Sequence, residues 1–410
     1  MALRRAGAEG EVRAGVPGGY AVAGPDPVAT VRPRDEAGVA AAVTAAREQG
    51  WALVVRGGGT ADRWGGPVRR APLIVLDTTA LRGVVAHEPG DLTARIRPGT
   101  PLRELDAAFA VAGQALALQP PGARTATVGG TIASGAAGPT RLLHGGPRDL
   151  LLGLRCVDGG GRTFAAGGRV VKNVSGLDVA KLFVGSFGTL GVLTEVCCKL
   201  RPRPPAAERR AAEFGGEPAA LAAAAAVLED AFLPAGLVVE GGVCAVAFEG
   251  AADDVADEAA RLEALWGGRV LAADAAERAW AAACEPGAAL APGAALLRCD
   301  VPDGALPELA AAVAAIPGAG RRVAWPGLGV LWTAVEAGGG AGDLAEAVRR
   351  ARGAAESCGG AAVVADAPPD LRAAVPPWGD PGELEPWMAA VKRRFDPDGV
   401  LSPGRFAGGL

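Results

Sequence analysis

From Gln119 to Pro204 the chain carries three glycine-dense turns, at residues 127–138, 167–176 and 185–191, separated by short apolar runs with the pattern of strands. Glycine has no Cβ, so backbone N–H groups in such turns can converge on an anion without steric interference. Three of them in sequence suit a pyrophosphate lying along the protein.

Glycine is common throughout, at 62 of 410 residues, roughly twice the usual share. Tracts of two or three glycines therefore arise cheaply, and those at 159–161 and 338–340 read as plain turns. Lysine is scarce by contrast: Lys172, Lys181, Lys199 and Lys392 are all there are, and three of the four fall in the glycine-loop segment.

Length implies two or three domains. Half the residues are apolar, which supplies sizeable cores, although alanine provides much of that and buries little area per residue. A net charge of −4 and an aromatic share of 4% disfavour a nucleic-acid binder, with neither a basic stripe nor stacking platforms. Two arginines near the start are followed by no apolar export segment, and the long uncharged stretch 107–123 contains glutamines, glycines and two prolines unsuited to a bilayer. Seven cysteines (Cys156, Cys197, Cys198, Cys244, Cys284, Cys299 and Cys358) are odd in number and lack CxxC spacing. No disulfide framework or iron–sulfur site follows from them. A reducing cytoplasm is the expected compartment.

Nearer the start, Pro33, Asp35 and Glu36 open an apolar-periodic helix that runs through 43–49, Gly50 ends it, and residues 51–56 read as a buried strand. Arg56-Gly57-Gly58-Gly59-Thr60 follows at once. A strand running into three glycines and a hydroxyl makes a nest of N–H donors. It is not a Walker loop, since Gly-Lys-[Ser/Thr] is missing, and it lacks Rossmann spacing. Strands are expected at 73–77 and 92–97. Pro98-Gly99-Thr100-Pro101 then supplies a turn, a cap and a first-turn proline for a helix at 101–112.

This order of motifs resembles the PCMH-type FAD-binding fold of the vanillyl-alcohol oxidase superfamily. The resemblance implies an α+β chain: a two-subdomain FAD-binding domain at 1–205, a smaller α+β cap at 206–382, and a C-terminal segment at 383–410 returning to the FAD domain. It implies that Arg56, Gly57, Gly58, Gly59 and Thr60 form the first pyrophosphate loop, with Pro121 nearby. Thr127, Val128, Gly129, Gly130 and Ile132 match a TVGG-x-I segment, backed by Ser134 and Gly138. Gly188, Gly191 and Val192 lie in the run from Gly185 to Glu195 that matches G-S-x-G-T-L-G, where the adenine is held. Phe395-Asp396-Pro397-Asp398-Gly399-Val400-Leu401-Ser402-Pro403-Gly404-Arg405 resembles the closing motif, with Ser402 where Asn is usual. Some members attach flavin through a His after the first glycines. Gly59 and Thr60 stand there in this chain, so the FAD is expected to be non-covalent.

Residues 168–178, 137–139 and 148–153 narrow the resemblance to the FAD-binding subunits of glycolate oxidase. That implies oxidation of a small 2-hydroxy acid, glycolate to glyoxylate, beside a paralogous catalytic flavoprotein and an iron–sulfur chain, with any membrane association made through those partners. Two alternatives remain: a self-contained FAD oxidoreductase, or a flavin-binding assembly subunit without turnover. His144 and Lys172 are the catalytic candidates, and His87 reads as a surface-loop residue. No metal site is expected. After the proline run 202–205 the sequence alternates helices and strands, with helices at 219–228 and 251–266 and strands at 237–240 and 243–248. This cap contains no histidine, and a proton acceptor near neutral pH ordinarily needs one.

Overall fold

The computed structural model describes residues 10–168, 177–230, 232–288, 290–336 and 341–410. Lys172 and the glycine tract 338–340 lie outside them. Contacts divide the chain into two units. The first comprises the described residues up to Ala136, together with Gly146–Arg203 and Asp380–Leu410, and the second comprises Ala137–Gly145 and Pro204–Gly379. Both combine helices and sheets, as the α+β reading requires.

The first unit contains two larger sheets. One has the order Gly10–Ala14, Pro27–Pro33, Leu73–Asp77, Ala52–Arg56, and its last three strands are parallel. Parallel strands covered on both faces read as continuous apolar runs, and the LIVLD of Leu73–Asp77 is buried along nearly its whole length. The helix Glu36–Glu48 starts where Asp35 accepts a hydrogen bond from the Gly38 amide at 2.7 Å. Its stripe of Val39, Ala42, Val43 and Ala46 shares one core with Leu53, Ile74 and Leu76.

The second sheet is antiparallel, in the order Val84–Glu88, Thr93–Ile96, Val192–Lys199, Leu151–Val157, Thr163–Gly167. The tract 159–161 is the turn of its last hairpin, with the Gly161 amide donating to the Asp158 carbonyl. Leu105 and Phe109 of the helix Leu102–Ala110 pack against this sheet's Ile96, Leu154 and Val196. His87 sits on the strand Val84–Glu88, not in a surface loop. Its Nε2 lies 2.9 Å from Gln114 Oε1 and its ring is tilted against Phe109.

Residues 127–138 are not one glycine turn. Val128–Ser134 is a short helix, capped by the Thr127 side chain and ended by Gly135 in the left-handed region at φ +67°. Glycine at 129 and 130 weakens helix formation, but Val128 and Ile132 are completely buried in the core beneath, and that packing outweighs the propensity.

The second unit is built on an eight-stranded antiparallel sheet, in the order Arg269–Val270, Ala206–Glu213, Val243–Gly250, Gly236–Glu240, Ala319–Trp325, Val330–Val335, Ala295–Asp300, Ala361–Asp366. Side chains alternate across it with period two. Cys244, Val246 and Phe248 enter a core shared with the helices Glu217–Glu229, Ala252–Leu265 and Leu306–Ala314. Residues 137–145, placed by the sequence reading in the first domain, group with this unit. A Cβ on Gly236 would lie 2.8 Å from the Pro139 carbonyl, and Leu142 packs on the unit's core, so the excursion is held by close approach that no local pattern announces. Gly138 and His144 travel with it.

The C-terminal segment is tied into the first unit by a buried cation. Lys392, on the helix Glu385–Phe395, donates to the Thr189 carbonyl at 2.7 Å, the Leu401 carbonyl at 2.8 Å and Asp396 Oδ2 at 2.5 Å. Burial pulls the Lys392 pKa down, and the Asp396 carboxylate opposes that pull. Asp396 in turn accepts from the Val400 and Leu401 amides. Among the described residues, no helix is long and apolar enough to cross a membrane.

Candidate functional site

A cleft in the first unit encloses about 740 Å³ of empty space, part of it open to solvent. Two parallel strands deliver residues to it from their carboxyl ends: Arg56, Gly57, Gly58, Gly59 and Thr60 after Ala52–Arg56, and Thr78 after Leu73–Asp77. Gly129, Gly130 and Ser134 come from the short helix, Gly188 and Gly191 from the third glycine turn, and Ser402 from the closing segment.

The first two loops interlock. A Cβ on Gly57 would sit 2.3 Å from Thr127 Oγ1, and one on Gly58 would sit 1.9 Å from the Thr125 carbonyl. These glycines are therefore demanded by the approach of the second loop as well as by the open cleft. Gly59 has φ +77°, a conformation natural to glycine. Thr127 accepts from the Gly130 amide at 3.3 Å, and Ser134 donates to the Gly130 carbonyl at 2.8 Å.

Arg56 is fixed on two sides: Nε donates to Asp62 Oδ2 at 2.8 Å and Nη2 donates to the Gly19 carbonyl at 3.1 Å. Arg405 ties the closing segment to the same loop, donating to the carbonyls of Asp62 at 3.0 Å and Ala61 at 3.3 Å. Ser402 is held by the pairing of Leu401 with Leu53 and by its own amide, which donates to the Leu53 carbonyl at 2.8 Å. It adopts φ +46°, and its buried hydroxyl has no hydrogen-bond partner. At the third turn, Phe187 and Gly188 also have positive φ, and the Phe187 ring stacks on Trp64 at 6.3 Å.

Not every expected residue lines this cleft. Thr127, Val128 and Ile132 are buried behind it, and Val192 begins a core strand beside Gly191. Pro121 does not line it, although its neighbour Gly122 packs against Thr60. Gly138 belongs to the other unit. Sequence reasoning missed Val22, Asp62, Thr78, Pro98, Phe187 and Arg405. Asp62, Phe187 and Arg405 lay within or next to quoted motifs. Val22 had no local signal.

His144 lies in the second unit, with its side chain 4% exposed and Nε2 2.9 Å from Glu249 Oε2. Glu249 also faces Arg209 at 3.7 Å, and that guanidinium lies over the Trp280 ring. In the tautomer that donates Nε2–H to Glu249, the lone pair is on Nδ1, which is buried and unpartnered. The unit that the sequence reading left without a histidine therefore contains one, because residues 137–145 fold into it. Burial pushes the thiols of Cys198, Cys244, Cys284 and Cys299 up to about 12, which leaves them unsuited as nucleophiles. No group of three metal-ligating side chains occurs among the described residues.

Residues 27–167 match the family described as FAD binding domain, in agreement with the resemblance carried by the glycine loops. The chain is 44% identical over 155 residues to glycolate oxidase subunit GlcE of Escherichia coli (strain K12), covering 38% of this chain and 43% of that protein. It is 32% identical over 178 residues to glycolate oxidase subunit GlcD of Bacillus subtilis (strain 168), covering 43% and 38%. It is 38% identical over 175 residues to a D-lactate dehydrogenase of Archaeoglobus fulgidus, covering 42% and 38%. The chain thus spans less than half the length of each of these relatives. Among solved structures, an alkyldihydroxyacetonephosphate synthase superposes with a TM-score of 0.71 at 16% identity, covering 93% of this chain and 78% of that one. p-Cresol methylhydroxylase superposes with a TM-score of 0.69 at 15% identity, covering 93% and 88%. Those two share the fold.

Proposed function

Since this chain carries an FAD binding domain over residues 27–167, we propose that it is the FAD-binding subunit of a dehydrogenase that oxidises small 2-hydroxy acids, glycolate foremost, and passes the electrons to partner subunits. The observation that carries this reading is the meeting of the Arg56–Thr60 loop, the short helix Val128–Ser134, the turn at 185–191 and the closing segment at one cleft, in a chain similar to glycolate oxidase subunits and a D-lactate dehydrogenase. FAD, when bound, supplies the two-electron acceptor for the alcohol's C–H hydrogen.

The chain's own part is to hold and orient that group. The amides of Gly57–Thr60 would hold the pyrophosphate from one side and the Gly129–Gly130 backbone, whose amides are engaged by the Pro98 carbonyl and Thr127, would border it from the other, with Arg56, fixed by Asp62 and the Gly19 carbonyl, adding positive charge. Gly188, Gly191 and the Val192 backbone would take the adenine side, and the unpartnered Ser402 hydroxyl would be free to bond a polar atom of the cofactor. Gly59 and Thr60 have no side chain able to form a covalent flavin link, so the FAD is held non-covalently. A paralogous catalytic flavoprotein and an iron–sulfur chain complete the assembly in this reading.

The test is to purify the chain, record its flavin spectrum, and add glycolate or D-lactate with an artificial acceptor, alone and with its partners. Turnover with partners and little without them supports the subunit reading. A colourless protein that FAD cannot reconstitute refutes it. Rapid reduction of the isolated chain would replace it with a second reading, a self-contained oxidoreductase.

A further inference from the structure

The helix Glu385–Phe395 buries one face and leaves the other bare. Lys392 and Phe395 turn inward, the first to Asp396 and the second against the Phe164 and Phe183 rings. At about 3.6 residues per turn, Trp387, Ala390, Val391 and Arg394 fall on the face that turns away from them. Glu383 and Leu384, in the 3₁₀ turn that leads into the helix, extend the same stripe. Trp387 is 75% exposed and Leu384 60%. Glu383, Ala390 and Arg394 are exposed as well, and Val391 is half-buried. Beside the stripe, the exposed Leu177 and Leu182 border a groove together with Val391 and Arg394.

Tryptophan is highly buried on average, and a bare indole is the residue that most often anchors a protein–protein contact. The charges say which protein fits. Among the described residues, the ion pair made by this helix is the buried one of Lys392 with Asp396, and Glu383 and Arg394 have no counter-ion. The carboxylate stands at one end of the stripe and the guanidinium at the other, with the indole and the small Ala390 between them. Laid antiparallel on a second copy of itself, the stripe is therefore self-complementary. In the register that sets Glu383 against Arg394 of the second copy, Trp387 meets Ala390 of that copy, and a two-fold axis repeats each contact. A large side chain opposite a small one lets the two surfaces interdigitate. Parallel pairing would instead bring like charges together.

We propose that this face is the contact surface of a homodimer, in which two copies pack their Glu385–Phe395 helices antiparallel across a two-fold axis. One indole removes ~150–250 Å² from water, so the two together supply only part of the ~1,200–2,000 Å² of a standard interface. The dimer is accordingly a weak one that dissociates on dilution.

Sedimentation velocity of the full chain, from low micromolar concentration upward, tests this. The wild-type chain should pass from monomer to dimer with concentration, and salt should push it back. Trp387→Ala should weaken association at least about 30-fold. Glu383→Arg and Arg394→Glu each set like charges against one another twice per dimer, so each variant alone should stay monomeric where the wild type is dimeric. An equimolar mixture of the two restores both opposite-charge contacts and should yield a heterodimer. All three positions are exposed, so the melting temperature should remain that of the wild type, and the mixture gives its answer even where Trp387→Ala folds poorly. A wild-type chain that stays monomeric at the highest concentration overturns the proposal. So does a dimer indifferent to Trp387→Ala, or a mixture that remains monomeric. Association seen only when a different chain is added would also overturn it and give the face to that chain.

Discussion

Gly129 and Gly130 are adjacent, both line the cleft, and yet should respond oppositely to the same one-carbon change. A Cβ on Gly129 would lie 2.5 Å from Pro98 Cβ and 2.9 Å from the Pro98 carbonyl, groups that cannot move without shifting the loop before the next helix. Overpacking of this kind costs about 1–3 kcal/mol, so Gly129→Ala should lower the melting temperature of the flavin-free protein. A Cβ on Gly130 would meet only Thr127 Oγ1, at 3.1 Å. Displacing that cap costs ~0.5–2 kcal/mol, while alanine in a helix gains about 1 kcal/mol over glycine, so stability should stay within about 1 kcal/mol of wild type. FAD affinity should nevertheless fall. If the new methyl, standing in the cleft, pushes a phosphate away from the facing Gly57–Thr60 amides, one charged hydrogen bond worth ~1.5–3 kcal/mol is lost, or roughly 10- to 150-fold in Kd. Differential scanning fluorimetry of the flavin-free variants and a flavin-fluorescence titration measure the two quantities separately. Unchanged FAD affinity in a stable Gly130→Ala protein would refute the placement of the pyrophosphate at this loop.

Acid or heat should release intact FAD into the supernatant, and flavin that stays with the denatured chain would exclude the non-covalent assignment. Lys392→Met should cost about 3–5 kcal/mol in urea unfolding, because it strands the Asp396 carboxylate in the interior; a loss below about 1 kcal/mol would show the pair to be dispensable. Tyr20, raised from 10.0 to about 12 in the folded protein, keeps its proton while the unfolded chain loses its own. Its contribution should be full below pH 10 and disappear as pH rises through 12, and in flavin-free Tyr20→Phe that part of the alkaline slope should be missing.

Much of this protein was legible in one dimension. The turn at 185–191, the Arg56–Thr60 nest and the closing motif around Ser402 are local signals, since each loop needs glycine or a small polar residue where its own backbone turns, while residues 169–176 of the second glycine-dense stretch lie outside the described residues. The helix Glu36–Glu48 and the strands Ala52–Arg56 and Leu73–Asp77 were equally plain, because a capping Asp and unbroken apolar runs are written in consecutive residues. Residues decided by distant partners were not legible. Val128–Ser134 became a helix despite two glycines because its apolar side chains are completed by a core assembled from residues far along the chain. Residues 137–145 joined the second unit through contacts with Gly236 and Glu249, a separation no periodicity spans, and that placement gave the unit its histidine. Gly57 and Gly58 are required by Thr125 and Thr127 of another loop, and the isolation of the Tyr20 hydroxyl is a property of the assembled wall around it. Backbone conformation is set by neighbours in sequence, whereas close approach, burial and the pairing of charges depend on which segments the completed fold brings together.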